Sequence, residues 1–157
     1  MNEGAIKGLV KGWYVRAQRE KDAISKFVFL WFCFNGWLAH ESGRDVDRAM
    51  INWLKSSSRG TQLRSAYETA RGSTVFHGYL RALATMSPIA SPGRPDLKIG
   101  SAGDFAGIVE GIYRVRCNLF HGAKSASDIR DQKLVRLCAA VLVKWIGNLV
   151  GGWRAAA

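Results

Sequence analysis

Apolar residues recur with helical spacing along most of this chain, most clearly towards its C-terminus. Leu134, Leu137, Cys138, Val141, Leu142, Trp145, Ile146 and Leu149 hold the i, i+3, i+4, i+7 series for about four turns, with Arg136 and Lys144 off the stripe. Ser127 and Asp128 precede this stripe as N-terminal caps, and Gly151-Gly152 follow it, so the pattern predicts a helix that stops at the glycine pair. A second stripe, Phe105, Ile108, Val109, Ile112 and Leu119, opens behind Asp104 in a capping position and closes at Gly122.

Upstream, a strongly apolar segment predicts a helix from near Asp22 to about His40, before Gly43. Shorter helices are expected over Asp45 to Lys55, Thr61 to Ala70 and Val75 to Ala84. No segment alternates apolar and polar residues for long, so no strand is predicted. The one long irregular stretch, SPIASPGRPDLKIGSAG over residues 87–103, holds all three prolines and is expected as an exposed loop within one domain spanning 1–157. The fold class expected is all-α, a bundle of about five to six helices. Its two last long helices, joined by a short loop, should form an antiparallel pair.

Charge narrows the choice of partner. There are 23 Lys and Arg against 12 Asp and Glu, a net charge of +11 and a pI near 10.1, which favours polyanionic partners, nucleic acid first. Cys33, Cys117 and Cys138 are odd in number and lack CxxC spacing, so they make neither a disulfide framework nor a zinc pattern and fit a reducing cytoplasm. The segment Ala23 to Ala39 carries Lys26 and Asn35 within about 17 residues, short for a bilayer, and reads as a buried core helix of a soluble protein. Three scattered histidines without HxxxH or HExxH give no metal site, and no phosphate-binding glycine loop or GxSxG is present, so no metal and no cofactor is expected. His40 reads as a polar helix end, and nothing beyond its residue type marks His77.

Candidate chemistry concentrates in Tyr113 to Gly122, YRVRCNLFHG. On a wheel of about 100° per residue, Phe105, Ile108, Ile112, Val115 and Leu119 fall on one side. Glu110, Arg114, Asn118 and, if the helix extends that far, His121 fall within about 80° on the other. An imidazole that moves protons near neutral pH beside guanidinium groups suits phosphodiester cleavage. Glu110 and Arg114, at i, i+4, also satisfy the spacing of an ordinary surface ion pair. Arg116 sits about 140° from His121 on a regular helix, which suggests either a side chain snorkelling over the core edge or one reaching into a subunit interface. The aromatic run Phe27, Phe29, Trp31, Phe32, Phe34 reads as core or oligomer interface.

An arginine followed four to six residues later by a histidine, near the start of a final helix pair in a small basic helical domain, resembles the HEPN superfamily (higher eukaryotes and prokaryotes nucleotide-binding). LWFCFN (Leu30 to Asn35), RVRCNLFHGAK and the last amphipathic helix together resemble its small bacterial, Apea-like members over about Trp13 to Trp145. The resemblance implies a homodimer whose motifs face each other across a shared cleft, and a metal-independent endoribonuclease that leaves a 2′,3′-cyclic phosphate. On that likeness His121 is the general acid/base, and Arg116 or Arg114 holds the scissile phosphate. Asn118 is counted among the catalytic candidates although it comes one place later than the family's polar residue, and Lys124 and Glu110 are taken as substrate contacts. Cys117 follows Arg116 where many active members carry a polar residue, often Asn. A toxin or phage-defence effector with RNA as partner is therefore expected, and an antitoxin protein is a candidate second partner. A non-catalytic RNA-binding or protein-interaction module of the same fold is the alternative.

Overall fold

The structure, a computed structural model, describes residues 1–57, 60–122 and 128–156. Among these residues the chain forms seven helices and one small hairpin: α1 (Glu3–Arg19), α2 (Ala23–Ser42), α3 (Asp47–Ser57), α4 (Gln62–Arg71), α5 (Thr74–Met86), β1 (Ile89–Ser91), β2 (Arg94–Leu97), α6 (Phe105–Phe120) and α7 (Ile129–Ala155). The bundle is all-α apart from the two strands. α1 adds a helix beyond the five to six expected. It buries fully only Val10 and Ala17, so its stripe is weak in the sequence.

Short polar side chains set the helix starts. Asp22, Thr61, Ser73, Asp104 and Asp128 each accept a hydrogen bond from the backbone N–H three residues on, filling donors that a helix leaves unpaired. The Glu41 carboxylate adds acceptors for the Gln62 and Leu63 amides at the start of α4. Gly107 must be glycine, because a Cβ there would lie 2.2 Å from the Asp104 carboxylate that caps α6.

α2 runs through the middle, with Phe27, Leu30, Trp31, Cys33, Phe34, Trp37 and Leu38 buried, α1 against one side and α7 against another. α7 packs chiefly on α2 and α4, then α5, and touches α6 over a smaller area. By length and composition α7 could cross a bilayer, but 56% of its most apolar window is buried inside the fold, where it serves as core. One buried apolar cluster draws residues from every helix.

Two expectations are corrected. Gly151-Gly152 do not end the last helix, which continues to Ala155. Trp153 is the reason: its ring packs 4.6 Å from that of Trp37 and its indole N–H donates to Gln62 Oε1 at 2.7 Å. Two interior glycines cost roughly 1 kcal/mol each, less than burying an indole returns. The stretch 87–103 is also not wholly irregular, since β1 and β2 pair antiparallel in register Ile89↔Leu97 and Ser91↔Arg94, turning at Pro92-Gly93 with Gly93 at φ 72°. Strands of three and four residues are too short to show an alternating pattern.

Trp145 joins the layers. It is fully buried, its Nε1–H donates to the Leu63 carbonyl at 2.8 Å, and its ring meets those of Phe34 and Tyr67 edge-on at 5.0 and 4.9 Å. Trp145→Ala is therefore expected to destabilise the fold by about 3–5 kcal/mol, measured as a lower urea midpoint in an unfolding titration followed by far-UV circular dichroism.

Candidate functional site

α6 carries the candidate motif, and both of its sides are occupied. Phe105, Ile108, Ile112 and Val115 enter the core. The polar side faces α3 and the hairpin rather than open solvent. Glu110, only 7% exposed, takes two hydrogen bonds from Arg48 at 2.8 and 2.9 Å and one from Lys55 at 2.9 Å, with Arg114 Nε a further 3.6 Å away. Burial alone would raise this carboxyl, but the hydrogen bonds from Arg48 and Lys55 outweigh it and hold the group at about 2, below its ordinary 4.5. The same pairing raises Arg48 above its usual value against the opposing effect of burial.

The other members of the motif are held as firmly. Arg114 donates to the Pro95 carbonyl in β2. Asn118, 2% exposed, donates to the Ala90 carbonyl in β1 at 2.8 Å. Arg116 lies 4.6 Å over the Phe120 ring and 5.7 Å from Trp31, and its guanidinium meets Asp47 at 3.0 Å. Arg116 thus snorkels along the edge of the core.

α6 ends at Phe120 and His121 is its C-cap, with backbone φ −95° and ψ 9° and its N–H bonded to the Cys117 carbonyl. Gly122, at φ 69°, turns the chain away. The His121 side chain is exposed and has no partner among the described residues. Ending the helix there removes the angular conflict seen on the wheel. Arg114, Arg116, Asn118 and His121 all line one cleft of about 360 Å³.

The far wall of that cleft is the hairpin, through Ser91, Pro92 and Arg94. Tyr113 and Cys117 complete it from α6. Burial first, and then the Cys117 thiol beside it, push the Tyr113 hydroxyl above its ordinary range, so it stays a neutral phenol at physiological pH. Arg94 has no hydrogen-bond or ion-pair partner among the described residues. Sequence reasoning missed Arg94 as a neighbour of the motif and gave Tyr113, inside the decapeptide, no role. The SPGR turn signal was the one available clue that Arg94 folds back towards α6.

No known protein family, curated protein or solved structure matches the chain. The cleft's meaning rests on its own residues. Lys124, expected as a substrate contact, lies outside the described residues. Glu110, also expected there, is not among the residues that line the cleft and is engaged with α3. His40 packs 5.0 Å from Trp37 at the exposed end of α2, and His77 lines a separate hollow with Arg81 and Lys98.

Glu110 gives a sharp test. Its pKa is lower in the folded chain, so the stability it contributes is fully present above about pH 4.5 and is lost as the pH falls towards 2. Glu110→Gln should flatten this acid limb and cost on the order of 3 kcal/mol at neutral pH, because it leaves the half-buried Arg48 and Lys55 without their carboxylate. Urea unfolding at a series of pH values measures both effects.

Proposed function

We propose that this chain is a metal-independent endoribonuclease of the HEPN type. A single observation carries the reading: Arg114, Arg116, Asn118 and a solvent-facing His121 border one cleft, without a carboxylate in its lining. The reading includes the antiparallel pairing of α6 with α7, a homodimer that brings two such clefts together, and a cytoplasmic location. A role as a toxin or phage-defence effector, with an antitoxin as partner, belongs to the same proposal.

The chemistry follows from what each group can do. In this reading His121 takes the proton from a ribose 2′-hydroxyl or returns one to the leaving 5′-oxygen. The 2′-oxygen attacks phosphorus, the bond to the 5′-oxygen breaks, and the products are a 2′,3′-cyclic phosphate and a 5′-hydroxyl. No oxidant, metal or water is consumed. Arg116 and Arg114 present guanidinium edges to the developing negative charge. Because Asp47, Glu110 and the Pro95 carbonyl already hold them, they need little reorganisation when the transition state forms. Asn118 holds the hairpin wall through Ala90.

The same anchoring favours a second reading. Both arginines already have acidic partners and the Asn118 amide is bonded to main chain, so the cleft can also serve as a binding surface that does no chemistry. Incubation with single-stranded RNA in EDTA separates the two. The ribonuclease reading expects cyclic-phosphate products from the wild type and a loss of about 100-fold or more in His121→Ala. Equal cleavage by both proteins would sink the catalytic claim for His121, and cleavage by neither would leave the binding reading in its place.

A further inference from the structure

A second concave surface lies between the N-terminal end of α2, α5 and α7, with a volume of about 390 Å³. Lys21, Lys26, Arg136 and Lys144 all line it, and no Asp or Glu does. None of these four cations has an ion-pair partner among the described residues. Several cations elsewhere in the fold do meet acids: Lys7 with Glu3, Arg16 with Glu20, Arg64 with Glu68 and Arg116 with Asp47. Even Asp22, the sequence neighbour of Lys21, turns its carboxylate onto the Ser25 amide and hydroxyl. Four like charges gathered round a hollow repel one another, and the hollow concentrates their field on whatever enters it.

The spacing says what kind of anion fits. Arg136 and Lys144 are eight residues apart on α7, about 12 Å along the helix axis. That distance is too long for one phosphate group and suits a chain of them. Between the cations the floor is apolar, formed by Ala139, Ala140 and Val143, and Tyr79 adds an aromatic ring at the side. A positively charged groove with an aromatic platform is the usual means of holding single-stranded nucleic acid, phosphates on the cations and a base against the ring.

We infer that this α2–α5–α7 hollow is an anchoring site for the phosphate backbone of single-stranded RNA, separate from the His121 cleft. The choice of RNA rests on the proposed ribonuclease reading, but the binding itself does not require cleavage. The probe is therefore a 2′-O-methyl oligoribonucleotide, which lacks the attacking hydroxyl and cannot be cut. Its binding is measured by fluorescence anisotropy over a salt series, for the wild type and for two charge-matched triple variants. One is Lys26→Gln, Arg136→Gln, Lys144→Gln. The other, remote from the hollow, is Lys11→Gln, Arg44→Gln, Arg154→Gln.

The hollow variant should raise Kd at least tenfold at 150 mM salt and reduce the slope of log K against log salt by about 2, the share of three phosphate contacts on a single strand. The remote variant should change Kd less than threefold. Equal weakening by the two triples would overturn the inference, since it would show net charge alone at work. So would loss of capture on vesicles of anionic lipid in the hollow variant while its RNA binding is unchanged, which would assign the hollow to a membrane surface. Cleavage of ordinary RNA by a hollow variant with wild-type Kd would overturn the site and leave the ribonuclease standing. Hollow-dependent binding in a protein that cuts nothing would do the reverse.

Discussion

The geometry of the cleft depends on one buried carboxylate. Glu110 sits inside α6 with almost no solvent, where an unpaired charge would cost several kcal/mol. Arg48 and Lys55, one α-helix away, satisfy it with three hydrogen bonds. That requirement fixes how α3 lies against α6. Once α3 is docked, Asp47 at its first turn comes within 3.0 Å of Arg116, so a second ion pair of reversed polarity closes the same interface. The energetic asymmetry matters more than the attraction, because removing one partner leaves buried charge behind. α3 is thus held in one position by charge matching as well as by Met50, Ile51 and Leu54 in the core.

The hairpin is positioned by the same helix, through neutral groups. Asn118 and Arg114 donate to carbonyls in β1 and β2 respectively, giving two short strands the tertiary support that an isolated hairpin lacks. A wall made this way is as rigid as the helix that holds it. It also divides the motif into two classes of residue. Asn118, Arg114 and Arg116 hold structure and border the cleft at once, whereas Arg94 and His121 face it with nothing else to bind among the described residues.

Much of this was legible from periodicity. The stripes over α2, α4, α5, α6 and α7 reflect sustained burial of one side or, for α2, of nearly all sides, and their caps are local signals within three residues. The gathering of Arg114 and Asn118 on one side followed from helix geometry, whereas His121 joins them from the C-cap, beyond the last helical residue. The partners on that side did not, because Arg48 and Lys55 lie 62 and 55 residues from Glu110. Helix-wheel reasoning can show that four polar residues share a side, but not whether solvent, α3 or a hairpin covers it. Local rules also misread Gly151-Gly152, where a glycine pair normally stops a helix and the burial of Trp153 overrides it.

The net charge of +11 becomes informative only once its distribution is known. Most carboxylates in this chain are already engaged. Asp22, Asp104 and Asp128 cap helices, Glu41 caps α4 from outside, and Glu3, Glu20, Asp47, Glu68 and Glu110 pair with cations. Excess positive charge is therefore left in places that acids do not reach, Arg94 at the edge of the His121 cleft and the α2–α5–α7 hollow among them. On the proposed readings these two surfaces use cations in different ways. In the cleft, arginines braced by acids can stabilise charge that appears during a reaction, because bracing has already ordered them. In the hollow, unbraced lysines and an arginine gain more from an anion that stays, since only the ligand relieves their mutual repulsion. A protein that must hold a strand and act on one bond within it needs both kinds of cation, and in this fold they occupy separate surfaces.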